Sequence, residues 1–93
     1  MKRQLLRSAS FTRISKQLVR RNPERAKALA ATLAMLEENA HDPRLHTHQL
    51  RGGLRGFWAA SGGYDFRVVF RFIEHEGQPA IMLVDAGTHD EVY

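Results

Sequence analysis

Apolar residues recur at every second position through one stretch of the chain. Phe66, Val68, Phe70 and Phe72 fall on one face of an extended backbone, and Arg67, Val69, Arg71 and Ile73 on the other. A Gly62-Gly63 turn signal precedes this densest run of β-branched and aromatic residues, so Gly62 to Glu74 predicts the central strand of a sheet. Its first face is wholly apolar. The second mixes two arginines with hydrophobes, and an arginine on a central strand near a turn suits an anion.

Upstream the period changes. Phe11, Ile14 and Leu18 recur at helical spacing behind the capping serines Ser8 and Ser10, which predicts a helix up to Arg20-Arg21. Asn22-Pro23-Glu24 then supplies a cap, a proline at the first helical position and an early acid, and Ala26, Leu29, Leu33 and Leu36 carry a second helix to about Glu38. Gln4 to Arg7 reads as a short opening edge strand. Pro43 ends the helical part at His41 to Arg44 by biasing the residue before it towards extended backbone.

Further on, Leu50, Leu54, Phe57 and Trp58 alternate with glycines and arginines, predicting two short strands around Gly52-Gly53 or one strand bent there. Glu74 to Pro79 reads as a polar hairpin loop, Ile81 to Asp85 as a strand stopped by Gly87, and Thr88 to Tyr93 as a tail. The expected architecture is α+β over residues 1–93 as one domain. A helical hairpin covers one side of an antiparallel sheet in the order β-αα-β-β-β-β.

Charge adds polarity along the chain. The net charge is +4 and the pI about 10.1, yet residues 1–56 hold twelve Lys and Arg against four Asp and Glu, while residues 57–93 hold two against six. A basic half attracts nucleic acid or an acidic protein, in a manner weakened by salt. It is equally the mark of solvated helix faces. The chain has no cysteine, which removes disulfides and thiolate metal sites and fits a reducing cytoplasm. No apolar run approaches the ~20 residues of a membrane span, and the basic start lacks a hydrophobic stretch of signal-peptide length.

Few residues offer chemistry. His46 and His48 share a side if extended but lack a third ligand, so neither a metal nor another cofactor is expected; Ser61 lies in no nucleophile-elbow sequence. The histidines remain, as groups that titrate near neutrality. If the strands converge, Arg67 can clamp a phosphate and Asp65, two residues earlier, can orient a histidine or take a proton. His48 and His89 can exchange protons, and Tyr93 can stack on a base. Two imidazoles, a carboxylate and a guanidinium meet the needs of RNA cleavage through the 2′-hydroxyl: a base, an acid and a cation for the phosphorane. Taken singly, each has a plainer reading as a surface histidine, a turn aspartate or an exposed arginine. Trp58, Phe66, Phe70 and Phe72 read as core.

The ordered blocks Asn22-Pro23, Asp42-Pro43-Arg44, THQLRGGLRGFW (Thr47 to Trp58), GYDFRVVF (Gly63 to Phe70) and GTHDEVY (Gly87 to Tyr93) resemble the RelE/ParE superfamily of type II toxins, near its YafQ-like branch. The resemblance spans nearly the whole chain. It implies a microbial-ribonuclease-like fold and a toxin that cleaves mRNA on the translating ribosome, held inactive by a cognate antitoxin. It implies site roles for His48, Asp65, His89 and Tyr93, while Arg67 matches the central-strand arginine of RelE proper. That branch carries a further Asp and His where this chain has Ala59 and Ser61. The lysine cluster of RelE proper is absent, with Arg51 and Arg55 as replacements and Arg71 as a further RNA contact. Two other functions fit the same family: a ParE-like poison of a topoisomerase (gyrase) acting by binding, and a degenerate member that only binds its antitoxin or RNA.

Overall fold

The computed structural model describes residues 1–52, 55–62 and 66–88. Asp65, His89 and Tyr93, the Gly53 half of the expected turn and the tail beyond Thr88 lie outside the described residues. Two helices, α1 (Ala9–Val19) and α2 (Pro23–Glu38), cover one face of a five-stranded sheet. Its strands are β1 (Gln4–Arg7), β2 (His48–Gln49), β3 (Trp58–Ala60), β4 (Phe66–His75) and β5 (Gln78–Thr88), in the order β1-β5-β4-β3-β2.

Capping sets the helices where the sequence predicts them. The Ser8 side chain accepts from the N–H of Phe11, and the Asn22 side chain from the N–H of Arg25, each at 3.0 Å. The apolar stripes then meet β4 and β5. Phe11, Leu36, Phe66, Val68, Phe70, Ile81 and Leu83 are fully buried in one cluster with Leu18, Leu29 and Leu33. Trp58 and Phe72 lie at its margin, half-buried and edge to face at 5.1 Å, with His41 stacked on Phe72 at 5.5 Å. α2 approaches β3 closely at Gly62. A Cβ there would collide with the buried Thr32 hydroxyl, which donates to the carbonyl of Ala28. Gly62→Ala should therefore cost about 1–3 kcal/mol through overpacking, read as a lower denaturant midpoint, and Thr32→Ala in the same chain should restore part of the loss.

Three features depart from the predicted layout. β1 is the expected edge strand, but it runs parallel to β5, with Leu5 opposite Ile81, whereas the other pairs are antiparallel. The hairpin loop shrinks from six residues to Glu76-Gly77, both at positive φ, because such a turn carries the right-handed twist of the strands it joins. β5 continues through Gly87 instead of stopping there, and it bulges: Val69 opposes Asp85 while Phe70 opposes Leu83, leaving Val84 as the extra residue. Between Gln49 and Trp58 the chain forms two short strands and not one bent strand.

Candidate functional site

The sheet face away from the helices carries the candidate residues, and its register places them. Cross-strand partners project to the same side, so His48, Ala59, Val69 and Asp85 form one row across four strands. Arg67, opposite Gly87, and Arg71, opposite Met82, flank that row two residues to either side of Val69. Leu50, Ala59 and Val69 are buried beneath them, with Phe57 and Val84 packed alongside, so a second small apolar cluster floors this face.

His48 stands exposed at the start of β2, and the approach to it is tightly fixed. Asp42 begins a 3₁₀ turn (Pro43–Leu45): its carboxylate accepts from the Arg44 N–H at 2.9 Å and from the Arg44 guanidinium at 3.1 and 2.7 Å. Leu45 is fully buried and its carbonyl accepts from the N–H of Ser61 at 2.8 Å. His46 follows in the left-handed region at φ 50°, which turns its carbonyl towards His48 Nδ1 at 2.9 Å. A carbonyl can only accept, so the proton sits on Nδ1, and a neutral ring then has its lone pair on Nε2. His46 is consequently not extended, so the condition under which it would share a side with His48 is not met. Among the described residues no group of three potential metal ligands occurs.

The guanidinium of Arg44 holds the Asp42 carboxyl at about 2, below its ordinary 3.8, mainly through side-chain hydrogen bonds and secondly through the Arg44 N–H. A lowered native value means the clip stabilises the fold above pH 3.8, and that contribution is lost as pH falls towards 2. Melting curves between pH 5 and 2 should show wild type losing more of its thermal stability than Asp42→Asn, which has no carboxylate to protonate.

Arg67 is half-buried and donates from Nη1 to its neighbour's carbonyl at Phe66, 3.2 Å away. No described carboxylate pairs with it. Arg71 is exposed and lies over the Phe57 ring, 5.5 Å from its centroid. Arg51 and Arg55 are exposed on the β2–β3 connection. With strands ~4.8 Å apart, His48 and Arg67 stand on either side of a floor made of Ala59 and Val69. The two side chains offer an imidazole and a guanidinium over one apolar floor. A separate depression of about 520 Å³ lies at the β4–β5 hairpin, lined by Arg3, Phe72, Glu74 and Pro79, away from this row.

No protein-family model matches the sequence, and no curated protein matches it significantly. Solved structures do match. The crystal structure of YafQ from E. coli superposes with a TM-score of 0.77 at 16% identity, covering 99% of each chain. The fold is that of YafQ. The E. coli DinJ–YafQ toxin–antitoxin complex gives 0.75 at 17% identity over 100% of this chain and 99% of that one. A metal-bound toxin from Helicobacter pylori gives 0.73 at 26% identity over 97% and 98%.

Within this YafQ-like fold His48, Arg67 and Arg71 lie on one face of the sheet. The two departures named above have different fates. Ala59 is fully buried in the floor between His48 and Val69, and Ser61 is 7% exposed, bonded through its N–H to Leu45. Sequence reasoning missed Asp85 as a member of this face. The signal was present: Asp85 keeps phase with Ile81 and Leu83, and a carboxylate in step with core residues implies a bulge.

Proposed function

We propose that this chain is the toxin of a type II toxin–antitoxin pair, an endoribonuclease that cuts mRNA on the translating ribosome without a metal or other cofactor, and so acts in the cytoplasm. One observation carries the reading: His48, with its Nδ1 proton held by the His46 carbonyl, faces Arg67 across a small apolar floor. Nε2 of His48 takes the proton of the ribose 2′-hydroxyl, and the oxygen attacks the adjacent phosphorus. Arg67, with which no described carboxylate pairs, stabilises the negative charge gathering on the phosphorane. Expulsion of the 5′-oxygen needs a proton. The family resemblance has His48 and His89 share the acid and base roles, with Asp65 tuning or replacing one of them, so with His48 as base His89 gives that proton, and Tyr93 stacks on a base. Phe66 and Thr88, which directly adjoin Asp65 and His89 in the chain, are cross-strand partners. Arg51, Arg55 and Arg71 supply further cations for the RNA backbone.

The antitoxin reading rests on the shared fold with the toxin of the DinJ–YafQ complex. A groove between the helices fits it: Val19, Ala26, Leu29 and Leu33 form an apolar lane with Arg7 and Lys16 at its rim. An amphipathic acidic segment complements that surface in both shape and charge.

Primer extension on messages recovered after brief induction tests the activity. Cuts inside codons of ribosome-bound mRNA are expected for wild type, with a loss of at least about 10²-fold in His89→Ala. Undiminished cutting by folded His89→Ala would remove that histidine from the mechanism. Intact mRNA accompanied by DNA damage would turn the reading to topoisomerase poisoning.

A further inference from the structure

Asp85 is the one described acid on the face that carries His48 and Arg67, and no role falls to it in the mechanism above. Its position is built. In regular alternation position 85 would point with Ile81 and Leu83 into the core; the bulge at Val84 gives that place to Ala86 and turns Asp85 to the open face. The N-terminal end of α1 secures this bulge. The Ser8 N–H donates to the carbonyl of Leu83 at 3.0 Å and the Ser10 hydroxyl to that of Val84 at 3.2 Å. β1 has already ended, its last residue Arg7 paired with Leu83, so among the described residues no strand borders β5 beside Asp85.

The carboxylate is half-buried, and one oxygen accepts from the N–H of Ala86 at 2.8 Å. Arg67 and Arg71 stand diagonally across β4 from it, yet neither forms an ion pair with it. Among the described residues, no other side chain takes up its remaining acceptor capacity. His48 is three strand spacings away, about 14 Å, too far for direct contact. A substrate reaching both must place its phosphate between His48 and Arg67 and send a flanking base across Val69 towards β5. Like charge favours this orientation, because a carboxylate repels phosphate and accepts from bases.

Building on the nuclease reading, we propose that Asp85 is a specificity-determining residue that reads guanine next to the scissile phosphate. A carboxylate only accepts hydrogen bonds, and it accepts two side by side. Guanine presents two adjacent N–H donors on its pairing edge, N1–H and the 2-amino group. Adenine and cytosine offer one amino group beside a ring nitrogen lone pair, and uracil offers one N–H between two carbonyl oxygens. Those edges would set a lone pair against an oxygen of Asp85. Single-stranded RNA is read at such splayed edges.

Two measurements on the full chain test the assignment. Sequencing the 5′ ends of fragments after induction should show guanine enriched at one fixed position beside the cut. That enrichment should fall about tenfold or more in Asp85→Ala, in line with losing one two-bond base contact. Asp85→Asn, which keeps the shape, should lose it as well, and it serves if the alanine variant folds poorly. Binding of non-cleavable 2′-O-methyl dinucleotides, followed by NMR, should favour guanosine over inosine, which lacks the 2-amino group, and over adenosine, with the differences abolished in Asp85→Asn. Guanine enrichment or guanosine preference that survives both substitutions overturns the proposal. So does wild-type binding that treats the three bases alike. A wild-type chain that cuts no message but binds guanosine through Asp85 would end the nuclease reading and leave this contact standing.

Discussion

Replacing His48 with alanine should lower mRNA cleavage by about 10²- to 10⁴-fold, the usual worth of a positioned acid or base, and leave the fold intact. The two effects should separate because His48 is exposed at the start of a two-residue edge strand. Surface substitutions of this kind shift stability by about 0.5 kcal/mol or less. A base role makes a second demand. Nδ1 is committed to the His46 carbonyl, so the proton from the 2′-hydroxyl must go to Nε2. Single-turnover cleavage of a ribosome-bound message should therefore fall as far in His48→Gln, which keeps a hydrogen-bonding group but takes no proton, as in His48→Ala. A His48→Gln chain that keeps most of the rate would mean that His48 positions RNA and does not take its proton.

The largest effect on stability is expected at Phe70. Its ring is fully buried between the helices and the sheet, its backbone pairs with Trp58 on one side and Leu83 on the other, and it touches Phe72 edge to face at 5.3 Å. Phe70→Ala should cost about 3–5 kcal/mol as lost transfer energy plus a cavity. A chain of this size has roughly 5–14 kcal/mol in total, so the variant retains a small margin or none. Denaturant titration followed by the single tryptophan, Trp58, measures it directly, since Trp58 lies across the strand from the substituted residue. The corresponding truncation Val69→Ala, one position along and on the other face, removes fewer atoms from a smaller cluster and should cost distinctly less. Equal losses at the two positions would mean that the floor of the open face matters as much to folding as the main core.

Short-range signals made the helices legible. Ser8 and Asn22 bond to backbone N–H groups three residues on, and Leu29, Leu33 and Leu36 repeat with the helical period, so nothing distant is needed to set those boundaries. β4 was legible for the same reason, its alternation being carried unbroken through Phe66, Val68 and Phe70. β5 was only half legible. Pattern reading stopped it at Gly87 because glycine weakens a strand in isolation, whereas ten paired positions against β4 hold it to Thr88.

By itself the sequence determined the α+β class, the helix pair and its limits, the central strand with its two unlike faces, and the pool of groups from which a site could be drawn. All of these depend on contacts between near neighbours or on a local period. Only the tertiary structure decided that β1 lies parallel to β5, that β2 sets His48 in one row with Val69, and that the bulge at Val84 lifts Asp85 out of the core. Register and bulges arise from hydrogen bonds between residues far apart in the chain, and a shift of one residue reverses the face on which every later side chain appears.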